Sequence, residues 1–275
     1  MKRSILFIII LITGTTLQSL AQGNLLITPM RIVFDGAKQN QVLNLVNTGN
    51  DTATYSISLV QFNMKEDGTF VKIENPDEFQ MSAKPYLRIY PLQITLAPGE
   101  PQVIMIQCRR KADMLAGEYR SHLYFRAEKN NTPLGFKKTV QDTTQLSIQL
   151  TPVYGLCIPI IIRTSDANVS TTLSDLKLES PQESPQYLKL TINRSGNIST
   201  YGDIIVDYIP AQGKQFEISK IRGVGVYTDI FKRNIVLKLN ITSGVPLSKG
   251  KLMVHYITND DTKKPVVYAD GQLDL

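Results

Sequence analysis

Few residues in this 275-residue chain combine the type and spacing that chemistry requires. Its two histidines, His122 and His255, each lie in a strand-like stretch with no cysteine or second histidine nearby. Each is expected to be packed or surface-exposed rather than to hold a metal. Ser121 precedes His122 directly, but neighbours on a strand point to opposite faces and cannot form a nucleophile–base pair. Asp260-Asp261 sits in a hairpin-like turn, where aspartate serves the backbone. Asp77-Glu78 follows a proline and has no partner acid for paired-carboxylate chemistry. Gly223-Val224-Gly225 lacks the third glycine and the following helix that a dinucleotide site needs. No enzyme activity, cofactor or metal site is therefore expected. Cys108 ends one strand-like segment and Cys157 lies late in another. In an oxidising compartment they form either a disulfide or two separately buried thiols, and their spacing does not choose.

Composition narrows the class further. Apolar residues make up 42% of the chain and charged residues 20%, enough to bury a core. With two Cys, two His and no Trp, a multi-cysteine zinc site and a disulfide-dense mini-fold are excluded. The formal charge of +6 is spread thinly, with no basic run longer than Arg109-Arg110-Lys111. Nucleic-acid binders concentrate their cations on one face or arm, so no nucleic-acid partner is expected.

The first 22 residues read as an export signal: Met1-Lys2-Arg3, then the apolar run Ile5 to Ile12, then Ser19-Leu20-Ala21. The run is far short of the roughly 20 residues a membrane-spanning helix needs. Cleavage after Ala21 or Gln22 would remove Lys2 and Arg3 and leave 28 basic against 24 acidic residues. A periplasmic protein without stable membrane insertion is expected.

What must position any site is a succession of strands. Residues 25–34 are strand-like with Pro29 in the middle, the mark of an edge strand or of one that changes sheets. Val42 to Val46 and Thr54 to Phe62 alternate, separated by the turn cluster Asn47-Thr48-Gly49-Asn50-Asp51. Leu87 to Leu96 reads as one strand closed by Ala97-Pro98-Gly99-Glu100. Gln102 to Cys108, Tyr119 to Ala127 and the long apolar run Leu146 to Arg163 follow. Helical periodicity is not sustained, so this half predicts an immunoglobulin-like β-sandwich. The second half has the same grammar: Leu188 to Asn193, Gly202 to Ile209, Phe216 to Ile221, Gly223 to Thr228, Asn234 to Ile241, Gly250 to Thr258 and Val266 to Ala269. Leu45 to Asn50 followed by Tyr55 echoes Ile192 to Asn197 followed by Tyr201, one domain length apart. The predicted division is a signal peptide at 1–22, a first domain at 23–163 and a C-terminal β-sandwich at 164–275.

Three stretches resemble the PapD-like periplasmic pilus-assembly chaperones. Pro29 to Gly36 is similar to that family's first strand, which contributes a cleft arginine, here Arg31. Leu96-Ala97-Pro98-Gly99-Glu100 with Gly117 to Phe125 is similar to its proline–glycine turn and the arginine-bearing strand beyond, here with Arg120. Leu146-Ser147-Ile148-Gln149-Leu150 is similar to its long last strand. The resemblance covers most of residues 25–163; the second domain matches only in length and strand pattern.

The resemblance implies two immunoglobulin-like domains in a boomerang arrangement. It implies a chaperone that stabilises pilus or fimbrial subunits by donor-strand complementation and delivers them to an outer-membrane usher. Leu146, Ile148 and Leu150, at spacing two, would fill the subunit's groove, with Tyr154 further along the strand. Arg31 would hold a subunit carboxylate, with Arg120 as support in the cleft. An ungapped match puts Gly155 where the family carries a second cation, a lysine, and no basic residue occurs between Gln145 and Ile162. The implied member is thus divergent. The alternative is a secreted, pilus-associated immunoglobulin-like module that assembles nothing.

Overall fold

A computed structural model describes residues 25–76, 81–128, 155–164, 166–179, 186–240, 247, 249–259 and 264–275. Almost everything described is strand or turn, and the one helical element is a 3-10 turn at Lys84–Tyr86. No helix among the described residues is long and apolar enough to cross a membrane. The export signal expected at 1–22 lies outside them.

The first half supplies β1 (Leu25–Thr28), β2 (Ile32–Phe34), β3 (Asn40–Asn47), β4 (Ala53–Met64), β5 (Phe70–Ile73), β6 (Leu87–Tyr90), β7 (Gln93–Leu96), β8 (Pro101–Cys108), β9 (Glu118–Ala127) and β10 (Gly155–Arg163). One sheet runs β1-β3-β8-β6 and the other β2-β10-β9-β4-β5, with β7 also paired to β4. Alternation decides which side chains meet between them. Leu43, Leu45, Ile104 and Ile106 turn inward from the first sheet, and Ile57, Leu123, Phe125, Ile158 and Ile160 from the second. Val42, Met105 and Tyr90 share a row on the outer face of the first sheet and stay exposed.

Proline sets two of the crossings. The chain leaves β3 after β1 and joins β10 as β2, with Pro29 in between, which realises the sheet change expected there. The single strand expected over Leu87 to Leu96 is instead two, broken at Pro91. The first piece, β6, pairs with β8, and the second, β7, pairs with β4 in the other sheet. Buried Asn47 fastens the turn after β3, its amide reaching the carbonyls of Asp51 at 2.8 Å and Leu96 at 2.9 Å.

The second half supplies β11 (Val169–Glu179), β12 (Tyr187–Gly196), β13 (Thr200–Pro210), β14 (Phe216–Val226), β15 (Lys232–Lys238), β16 (Gly250–Thr258) and β17 (Val267–Asp274). They form sheets β11-β12-β15 and β14-β13-β16-β17 around a second core that includes Leu190, Ile204, Val206, Leu237, Val254 and Tyr256. Phe216 to Ile221 and Gly223 to Thr228, expected as two strands, are joined in one strand, β14, that runs through Gly223 at φ +72° and ends at Val226. The echo between Leu45–Asn50 and Ile192–Asn197 has a structural counterpart: β3 to β4 and β12 to β13 each cross from one sheet to the other.

The two sandwiches share packing. Met64 and Ile161 belong to the second core although they come from strands of the first half, and Val33 packs against it. Asn234 donates its backbone N–H to the Glu66 carbonyl at 2.7 Å, so the β4–β5 turn rests on β15.

Candidate functional site: the cleft between the sandwiches

Strand β9 builds one wall. Tyr119, Leu123 and Phe125 fill the first core, so Glu118, Arg120 and His122 project from the other face toward the second sandwich. Arg120 Nη2 donates to the Phe62 carbonyl at 3.1 Å and is ion-paired with Asp229 Oδ2. Asp229 also accepts the Met64 N–H at 2.8 Å. With its amide oriented to donate, Asn63 reaches the same carboxylate at 3.2 Å. Glu118 Oε2 accepts from the Ser199 N–H at 3.0 Å, the Ser199 hydroxyl at 2.7 Å and Arg163 Nε at 3.3 Å. Arg163 continues to the Ser199 carbonyl at 3.0 Å. Each ion pair thus joins one sandwich to the other or ends on a residue that does.

Arg31 enters from the opposite side. Its Nη1 donates to the Tyr227 hydroxyl at 3.1 Å and its Nη2 to the Ser199 hydroxyl at 3.3 Å. Its guanidinium carbon lies 4.6 Å from the centre of the Tyr201 ring and 5.5 Å from that of Tyr227. Arg120 stacks on the same Tyr227 ring at 4.1 Å. The Arg31 guanidinium is thus held in place by two hydroxyls and two aromatic rings of the second sandwich.

His122 packs edge-on against Phe62 and Phe70, at centroid distances of 5.1 and 5.7 Å. Burial, reinforced by the positive charges of Arg120 and Arg31, lowers its pKa to about 3. It is a neutral packing residue at physiological pH. His255 instead sits at the surface of the second sandwich, its Nδ1 2.6 Å from Asp270 Oδ1.

The structure thus brings Arg31 and Arg120 together. Leu146, Ile148, Leu150 and Tyr154 lie outside the described residues. The strand that continues them is described, and its edge is informative. Strand β2 pairs with β10 only over Ile160 to Ile162, so along Gly155 to Pro159 no described strand covers the flank opposite β9. A Cβ at exposed Gly155 would meet the outer ring atoms and hydroxyl of Tyr124, so that ring would have to shift to admit a side chain.

The cysteines are free thiols, not a disulfide. Cys108 points into the first core, whereas Cys157 alternates with the inward Ile158 and Ile160 and therefore faces outward. Burial raises the pKa of Cys108, so that thiol is not a ready thiolate.

Sequence reading did not find Glu118, Arg163, Ser199, Tyr201, Tyr227 or Asp229. The alternation of Glu118, Arg120 and His122 was the available signal, together with Arg163 closing an otherwise apolar run.

No family model matches the sequence, and no curated protein matches it. Solved structures similar to this chain include the chaperone–tip adhesin pre-assembly complex CsuC–CsuE from the archaic chaperone–usher Csu pili of Acinetobacter baumannii. That match has 11% identity, covers 90% of this chain and 99% of the other, and has a TM-score of 0.47. The YadV chaperone matches with 11% identity over 92% of this chain and 100% of its own, at a TM-score of 0.45. The CupB2 chaperone of Pseudomonas aeruginosa matches with 13% identity over 91% and 100%, at 0.43.

Proposed function

We propose that this protein is a periplasmic chaperone of pilus subunits that works by lending a strand. Residues 1–22 export it, and the mature chain divides near residue 164 into units 23–163 and 164–275. The open flank of β10 carries the proposal. An edge with free N–H and C=O groups is a template for another chain, and here it runs directly on from the alternating segment that contains Leu146, Ile148 and Leu150. Those three side chains, with Tyr154, would fill the groove of a subunit whose own sandwich lacks a strand. Each apolar side chain would contribute about 1.5–3 kcal/mol on full burial. Arg31 would hold an anionic group of the subunit, and an outer-membrane usher would receive the loaded complex.

The test is co-expression with a β-rich pilus subunit whose own sandwich lacks a strand. The chain should keep that subunit soluble and co-purify with it one to one. A subunit that aggregates equally with and without the chain would refute the proposal.

A further inference from the structure

We propose that the outer face of the second sandwich carries a binding site for a divalent transition metal of the Zn²⁺ class, ligated by His255 and Asp207 and oriented by Asp270. The site stands apart from strand lending. Local spacing conceals it, because the three residues come from three strands: Asp207 from β13, His255 from β16 and Asp270 from β17. Val206, Val254, Tyr256 and Ala269 turn inward, so these three project together from the solvent side.

Both ligands are held from behind. His255 lies directly across from Asp270 in the β16–β17 ladder, and its Nδ1 is 2.6 Å from Asp270 Oδ1. A proton on Nδ1, given to that carboxylate, leaves the ring's lone pair on Nε2. Nε2 faces Asp207 Oδ2 at 3.9 Å. Asp207 is fixed in turn by Gln215, whose Nε2 donates to Oδ2 at 3.0 Å. Such outer partners are what orient a metal's histidine and carboxylate ligands and raise the basicity of the ring.

The gap and the charge fit an ion between the two groups. At 3.9 Å, Nε2 and Oδ2 are too far apart for a hydrogen bond. A metal about 2.0–2.1 Å from nitrogen and about 2.0–2.2 Å from oxygen would bridge them with a small movement of either side chain. Among the described residues, Asp207 and Asp270 share one imidazole and form an ion pair with no lysine or arginine. The His255 and Asp207 side chains are 29% and 17% exposed, so an ion can reach them and is partly shielded once there. Imidazole with carboxylate suits zinc and copper, whereas magnesium and calcium favour oxygen ligands alone. No three His, Cys, Asp or Glu side chains among the described residues converge on one ion, so two protein ligands hold it and water completes the shell.

The test titrates Zn²⁺ into the full, untagged mature chain by calorimetry in a non-coordinating buffer, beside the same titration with Mg²⁺. The expected result is one saturable Zn²⁺ site and none for Mg²⁺. His255→Gln and Asp207→Asn, both changes at the surface, should each abolish the Zn²⁺ heat in a protein that still melts cooperatively. Asp270→Asn removes no ligand and should weaken binding about 10–100-fold. Cys157→Ser, which removes the exposed thiol, should bind as the parent does. The proposal would be overturned by a parent without saturable Zn²⁺ heat, by equal binding of Mg²⁺, or by full binding in His255→Gln. Unchanged affinity in Asp270→Asn, or loss of the site in Cys157→Ser, would overturn it as well.

Discussion

Arg120 in the first sandwich and Asp229 in the second, 109 positions apart in the chain, form an ion pair whose side chains are 3% and 12% exposed. Two charges taken so far from water are held by each other and by the Phe62 carbonyl and Met64 N–H beside them. Such a pair adds little net stability but is damaging to break, because the surviving partner is left buried and uncompensated.

Asp229→Ala should therefore destabilise the protein by about 3–5 kcal/mol, read by denaturant unfolding. Asp229→Asn keeps the size and one acceptor and should cost less. A change under about 0.5 kcal/mol for the alanine variant would mean that the junction is solvated and the pair unimportant.

His122 predicts an acid sensitivity with a definite sign. Its pKa is depressed in the folded state, from 6.5 to about 3, by burial and then by Arg120 and Arg31. The folded state therefore excludes a proton that the unfolded chain accepts. The stability that His122 contributes is fully present above about pH 6.5 and is lost as pH falls toward 3, at a limiting slope of about 1.4 kcal/mol per pH unit. His122→Phe, placed between Phe62 and Phe70, should flatten that part of the stability curve relative to the parent. Identical slopes for the two proteins would show that His122 titrates normally.

Gly155→Lys would introduce a cation on β10 where the Tyr124 ring now lies against the glycine. The new Cβ must push the half-buried Tyr124 ring aside, at a cost of about 0.5–1.5 kcal/mol. Adding Tyr124→Ala should recover much of that loss. A single Gly155→Lys variant that melts like the parent would show that the ring moves freely.

Much of the fold is legible because a sandwich needs little more than alternation and punctuation. Leu43 and Leu45 declare their face by spacing, and Pro29 announces a sheet change. Pro91 carries the same signal, but alternation on both sides of it conceals the break between β6 and β7. Strand β11 went unseen because its pattern is only half buried, with Ser170, Thr171, Thr172 and Ser174 diluting the apolar positions. The cleft was half legible. Arg31 and Arg120 stand on recognisable strands, but Asp229 and Ser199 reach them from turns and strand ends far away in sequence, where local pattern carries no information about partners.

Arg31→Ala removes hydrogen bonds to Tyr227 and Ser199 and the stacking on Tyr201. It should lower stability by about 1–3 kcal/mol and weaken subunit binding well beyond that. Arg31→Lys should rescue poorly, since an ammonium cannot reach two hydroxyls in one plane while stacking on a ring. Full rescue by lysine would reduce Arg31 to a point charge.

Strand lending is tested most directly by changing Leu146, Ile148 and Leu150 to Ser together, and following thermal melting beside capture of a co-expressed pilus subunit. The account predicts an unchanged melt and lost capture, because these side chains serve the subunit's groove. Collapse of the melt, at about 2–5 kcal/mol for each core residue truncated, would place them in the protein's own core, and intact capture would remove them from the interface; either contradicts it.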